Sequence, residues 1–290
     1  MNILINIWVK LRRYLRGAPK IAIATLLIII LAAVFADFLP LQNPEMGNLA
    51  NRNQPPFFQE GGSLEYPLGT DIVGRDGFSR LIYGARVSLL VAFMTVFVAG
   101  SVGTTIGIVS GFLGGTVDNV LMRITEGWLT FPSLFIAILM SMVLGPGVQN
   151  IIIVLAVVYW TRYARIIRGE VLTIKERDFV HLATTAGASK VKIMFSHILP
   201  NVINTAIVLS TLQLGQVVTM EATLSFIGVG VPPPKPAWGL MLSQGRDGMI
   251  AGYWWQTAFP GLGIVMMVMS ANMLGDWLRV KFDPRLQQLL

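Results

Sequence analysis

The sequence has no cysteine, which excludes disulfide frameworks, thiolate metal sites and cysteine nucleophiles. Charge is also scarce: Asp, Glu, Lys and Arg make up 13% of 290 residues, against about a quarter in a typical soluble domain. Histidine occurs twice, at His181 and His197, and neither has a carboxylate or cysteine partner at ligand spacing. A zinc centre or histidine-based active site is therefore not expected. The dipeptide Gly-Lys does not occur, and without it there is no glycine-rich phosphate cradle ending in Gly-Lys-Ser/Thr. The sequence also lacks paired carboxylates, or a nucleophile with a base, inside its apolar runs. The expectation is a protein that is not an enzyme.

Apolar residues dominate what is present, at 54% of the chain with a mean hydropathy of +0.65. That balance places the chain in a membrane. A formal charge of +7 would point a soluble domain toward nucleic acid, but here the basic residues flank apolar runs and no nucleic-acid partner is expected. Six runs are long enough to be candidate spans: Ile21 to Leu39, Val87 to Phe112, Ile124 to Leu144, Ile151 to Ile167, Val202 to Leu224 and Phe259 to Leu278. An inside N-terminus puts 16 of the 22 Lys and Arg residues in cytoplasmic segments, as the retention of positive loops requires. That count takes Arg162, Arg165 and Arg168 as part of the segment after the fourth span. The expected fold is an all-α membrane protein with six transmembrane helices and both termini cytoplasmic.

The expected organisation has four parts. Residues 1–20 form a cytoplasmic amphipathic segment, in which Ile3, Leu4, Ile7, Trp8, Leu11 and Leu15 recur at helical spacing among basic residues, as in a helix lying in the headgroup plane. Residues 21–39 form the first transmembrane helix; a run of 19 residues exceeds a signal-peptide core and is read as a retained span. Residues 40–86 form an extracytoplasmic loop. Residues 87–290 form a core of five helices, interrupted by a cytoplasmic loop at about 169–200.

Several positions stand out within this frame. Gly103, Gly107 and Gly111 are spaced four apart, a small-residue stripe that lets a second helix approach closely. In the cytoplasmic loop, Glu176 to Thr185 reads as one short helix and Gly187 as a break. Ala188 to Phe195 reads as a second helix that ends before Pro200. In the fifth span, Thr205, Gln216, Thr219 and Thr223 share one helical sector and are candidates for a polar path, whereas the intramembrane acid Glu221 points almost opposite, toward a neighbouring helix or subunit. Asp71 and Asp76, in Gly69 to Arg80, lack calcium-loop spacing and read as turn and salt-bridge residues.

The run DFVHLATTAGASKVKIMFSHILPN, Asp178 to Asn201, resembles the cytoplasmic coupling loop of ABC-importer permeases. Ala183, Gly187, Leu199 and Pro200 fill that family's pattern, while His181 and Leu182 depart from its usual Glu and Ala. Further segments resemble the oligopeptide/dipeptide branch: GTDIVGRDGFSR at Gly69 to Arg80, Ala222 to Gly230 followed by three prolines and Trp238, and Asn272 to Leu286. The resemblance implies a type I ABC-importer permease in a bacterial or archaeal cytoplasmic membrane. It also implies four kinds of partner: a homologous second permease, one or two ATPase subunits that carry ATP and magnesium, an extracytoplasmic substrate-binding protein, and the lipid bilayer. The implied ATPase-coupling residues are Glu176, Asp178, His181, Ala183, Gly187, Ala188, Ser189, His197 and Pro200. The implied cargo is di- or oligopeptides; relatives of this branch that carry nickel, glutathione or oligosaccharides leave other cargoes open. A secondary transporter is the rival class, and it would require inverted repeats or ion-binding acids at mid-membrane depth.

Overall fold

The computed structural model describes residues 17–282. The amphipathic segment before Gly17 and the Asp283 to Leu286 part of the C-terminal motif lie outside the described residues. The described chain is all-α apart from a largely irregular segment at 39–76, and its sole β feature is an isolated bridge between Thr70 and Asp76.

Helix α1, Lys20–Val34, is shorter than its apolar run, because the chain tightens into a 3-10 turn at Ala36–Phe38. Arg86 from the next helix explains this stop. Its guanidinium donates to the carbonyls of Ala33 (2.8 Å) and Val34 (3.1 Å), which are end groups with no intrahelical partner. It also pairs with Asp37 at 3.0 Å. The Tyr83 hydroxyl also donates to the Asp37 carboxylate, at 3.0 Å.

Helix α2, Gly77–Leu113, begins ten residues before the apolar run it contains. Asp76 sets its start by accepting from the Ser79 amide at 2.8 Å and the Phe78 amide at 3.3 Å, which satisfies two of the orphan donors of the first turn. Gly103, Gly107 and Gly111 face helix α5, Val148–Ile174. A Cβ at Gly107 would lie 2.7 Å from the Ala164 carbonyl, and one at Gly111 would lie 2.9 Å from Val171. At Gly103 a methyl would run into the Trp160 carbonyl. Hydrogen in place of a side chain is therefore what lets α2 and α5 pack backbone to backbone.

The third apolar run is not one continuous helix. It is helix α3, Gly115–Thr130, followed by α4, Ser133–Leu144, with a 91° bend between them. Pro132 accounts for the break: its ring forces Phe131 into an extended conformation, with ψ of 140°. After α5, the short helix α6 at Asp178–Thr185 leads into α7, which runs from Lys190 to Ile227. The expected stop before Pro200 does not occur. The chain instead widens into a π turn at Met194–Ile198, where an i→i+4 bond to proline would be impossible, and resumes as α-helix at Leu199. Helices α8, Trp238–Ile250, and α9, Trp255–Phe282, complete the bundle, and α8 has no counterpart among the expected spans.

Among the described residues, α2, α5, α7 and α9 are each long and apolar enough to cross a membrane, and the bent α3–α4 pair makes a fifth candidate. At about 1.5 Å per residue, the 15 residues of α1 reach only about 22 Å, short of a hydrocarbon core of about 30 Å. Two apolar clusters hold the bundle. The larger joins Val91 and Ala92 of α2 to Val154 and Leu155 of α5, Val217 and Leu224 of α7, Trp238 of α8 and Met267 of α9. The smaller joins Ile108, Ile167, Val171 and Ile174 to Val180 of α6 and to Ile193, Ile198 and Val202 of α7.

Candidate functional site

The α6–α7 hairpin is fixed by its own backbone before any side chain contributes. The Ala188 amide reaches back to the Ala183 carbonyl and the Gly187 amide to the Thr184 carbonyl, both at 3.0 Å. This paired closure requires a left-handed residue at the first position past the helix, and Gly187 supplies it with φ of 79°. Ser189 then caps α7 by accepting from the Lys192 amide at 3.3 Å. Val180, Ile193 and Ile198 are buried in the smaller apolar cluster, so the hairpin is seated on the ends of α2, α5 and α7.

Its outer side is open. Glu176, Asp178, His181, Gly187, Ser189 and Pro200 are exposed, whereas Ala183, Ala188 and His197 are half-buried. His181 lies 4.0 Å from the Glu176 carboxylate, and the His197 ring rests against Phe179 with centroids 6.3 Å apart. Leu182, Val191 and Phe195 project apolar surface among these charges, at 68%, 59% and 66% exposure. Exposed apolar side chains set among polar groups are the composition of an interaction surface.

A second locus lies between α5 and α7. Gln216, Thr219 and Thr223 line a groove of about 460 Å³, together with Tyr159, Arg162, Ser133 and Asn272. Thr205 belongs to the same helical sector but sits nearer the hairpin, beside the Glu170 carboxylate, and does not line the groove. Arg162 donates to the Gln216 side-chain oxygen and lies over the Tyr159 ring at 5.7 Å. The charge count above took it as a loop residue; it stands close to the middle of α5, and Arg165 and Arg168 are also on that helix. Its position inside Ile151 to Ile167 was the sequence signal for this placement.

Glu221 is fully buried and accepts from Ser88 of α2 at 3.0 Å and from Ser225 of its own helix at 2.8 Å. It therefore joins α7 to α2 and faces away from the groove. Glu221→Gln retains a side-chain acceptor at the same reach, so we expect normal assembly with partner subunits, measured by co-purification. Glu221→Ala leaves two buried hydroxyls without an acceptor, and about 1–3 kcal/mol of stability should be lost, read as an earlier thermal transition in detergent.

Sequence reasoning did not single out Asp118. It takes two hydrogen bonds from Arg168, each 2.5 Å, and one from Ser110, tying α2, α3 and α5 together near the hairpin. The available signal was a single acid in the otherwise uncharged stretch between Arg86 and Arg123.

Residues 103–288 match the family described as binding-protein-dependent transport system inner membrane component. The chain belongs to that permease family. Its relatives include the dipeptide transport system permease protein DppC of Alkalihalophilus pseudofirmus, 40% identical over 271 residues, covering 92% of this chain and 87% of the relative. The DppC of Haemophilus influenzae is 37% identical over 273 residues, covering 94% and 92%. The di/tripeptide transport system permease protein DppC of Pseudomonas aeruginosa is 38% identical over 262 residues, covering 90% and 86%. The family match includes the hairpin, the groove, Glu221 and Asp118. Permeases of this kind are transport components.

Proposed function

We propose that this permease carries di- and oligopeptides inward as one of two homologous membrane subunits of an ATP-driven importer in a bacterial or archaeal cytoplasmic membrane. The observation that carries this reading is the α6–α7 hairpin, which exposes Leu182, Val191 and Phe195 while Val180, Ile193 and Ile198 seat it on the ends of α2, α5 and α7. An ATPase subunit docked there would move the hairpin as a body, because Val180, Ile193 and Ile198 bind it to the same helices that line the groove. Closure and reopening of the ATPase pair would then turn the groove toward each side of the membrane alternately.

On this reading six segments span the bilayer, with α1 and the α3–α4 pair completing the set, and both termini face the cytoplasm. ATP and magnesium are bound by the partner ATPases, and a separate binding protein delivers cargo to the outer face. Peptide cargo is favoured over nickel, glutathione or oligosaccharides by the relatives, which are named as dipeptide and di/tripeptide permeases.

The test is uptake by the full set of subunits in proteoliposomes, with radiolabelled dipeptide, nickel, glutathione and an oligosaccharide each supplied with the binding protein. ATP-dependent accumulation of the dipeptide alone is the expected result. Accumulation of one of the other three would reassign the cargo, and uptake without ATP would overturn the importer itself.

A further inference from the structure

An arginine near the centre of a membrane helix is costly unless it faces protein or water and has something to bind. Arg162 has only neutral partners: the Gln216 oxygen and the Tyr159 ring. Among the described residues no carboxylate forms an ion pair with Arg162; Asp118 pairs with Arg168, and Glu221 accepts from Ser88 and Ser225.

Arg162 also stands at a junction. The groove of about 460 Å³ and an adjoining cavity of about 190 Å³ share Ser133, Tyr159 and Arg162 as wall residues. Trp128 and the fully buried Thr161 also line the smaller cavity. The Arg162 guanidinium itself is exposed where the groove and the cavity meet, and among the described residues no carboxylate pairs with it.

We infer that Arg162 forms an anion subsite in the translocation path that takes the carboxylate of a passing peptide. The planar guanidinium matches a carboxylate in charge and geometry, and the Gln216 oxygen and Tyr159 ring hold it in place between passages. This inference rests on the peptide-importer reading above and adds a specificity residue to it.

The test uses the complete importer in proteoliposomes. Because the chain has no cysteine, Arg162→Cys gives it a single thiol. Dipeptide uptake by that variant should fall about tenfold or more, the scale of losing one charge-assisted hydrogen-bonded contact, with the subunit composition unchanged. Modification by an aminoethyl thiosulfonate, which restores a cation, should recover much of the loss, and a sulfonatoethyl reagent should not. Saturating dipeptide should slow both modifications. Uptake of the matching dipeptide amide, compared between wild type and variant, removes the binding protein's own preference; the dipeptide-to-amide ratio should drop by about the same tenfold.

An unchanged ratio, or a thiol that neither reagent reaches, overturns the subsite. Loss of the second permease from the variant complex overturns it too, and assigns Arg162 to a carboxylate of that subunit. A wild-type importer that takes up no dipeptide sinks the peptide reading instead, which keeps the two failures distinguishable.

Discussion

Replacing Gly187 with Glu is expected to abolish co-purification of the ATPase subunits and with it all ATP-driven uptake, while membrane yield of the permease stays near wild type. The backbone argument comes first. Gly187 has φ of 79° and closes α6 through the paired bonds to Ala183 and Thr184, so a residue with a Cβ strains the turn by about 1–2 kcal/mol. No atom lies within 4 Å of a Cβ built there, so the strain is the only cost inside the chain itself. The larger effect lies outside it, because the same open space is where a docked subunit would meet the hairpin tip, and a buried unpaired carboxylate at such an interface is strongly unfavourable. Gly187→Asn separates the two effects: asparagine tolerates left-handed backbone, carries no charge and should keep most of the uptake. Normal uptake by Gly187→Glu would contradict docking at this hairpin.

The second large effect is expected where the segment before α2 meets α8. Asp71 pairs with Arg75 at 2.7 Å and lies 3.6 Å from Arg80, which is 1% exposed. Both arginines also converge on the Gln244 oxygen of α8, at 3.0 and 2.8 Å. Among the described residues, Asp71 is thus the one acid that pairs with these two buried cations, which share one neutral acceptor. Asp71→Ala removes it, and the loss of one partner from a buried pair typically costs about 3–5 kcal/mol. We expect a much lower thermal transition in detergent and rapid proteolysis of residues 40–76, which Trp255 and Gln256 also tie down through bonds to the Thr70 carbonyl, both 3.1 Å. Asp71→Asn keeps acceptors for the Val73 and Arg75 amides (both 3.0 Å) and should lose about half as much. Wild-type stability in Asp71→Ala would show that Gln244 alone suffices for both arginines.

Where one local requirement dominates, this molecule can be read from its sequence. The helix break at Gly187 follows from the residue itself, since only a left-handed position there closes α6 onto α7. The apolar runs likewise mark α2, α5, α7 and α9, because hydrophobicity over about 20 residues is a long, redundant signal. Reading fails where two local signals compete. Pro132 sits inside an apolar run and hydropathy hides its effect, yet it splits the run into α3 and α4. Pro200 errs in the opposite direction: taken as a stop, it is absorbed by the π turn just upstream. Helix α8 lacks a long apolar face and is held by tertiary contacts, among them the Trp238 indole bonded to the Leu81 carbonyl at 2.9 Å.

The candidate sites divide in the same way. Helical phase alone brings Gln216, Thr219 and Thr223 to one groove, but phase says nothing of depth, and Thr205 on the same sector lies too far toward the hairpin to join them. Arg162 was hidden by the rule that finds orientation, because counting basic residues as loop charges moves a mid-helix arginine out of the membrane. Asp118 and Ser88 depend on partners 50 and 133 residues away, separations that no local pattern encodes.

The most direct test of the importer account is to tag this chain, extract it gently from native membranes and identify by mass spectrometry what co-purifies in comparable amount. A second permease and one or two ATPase subunits, with uptake that needs ATP after reconstitution, is the result expected. Recovery of the chain as a lone homo-oligomer that transports without ATP would contradict it.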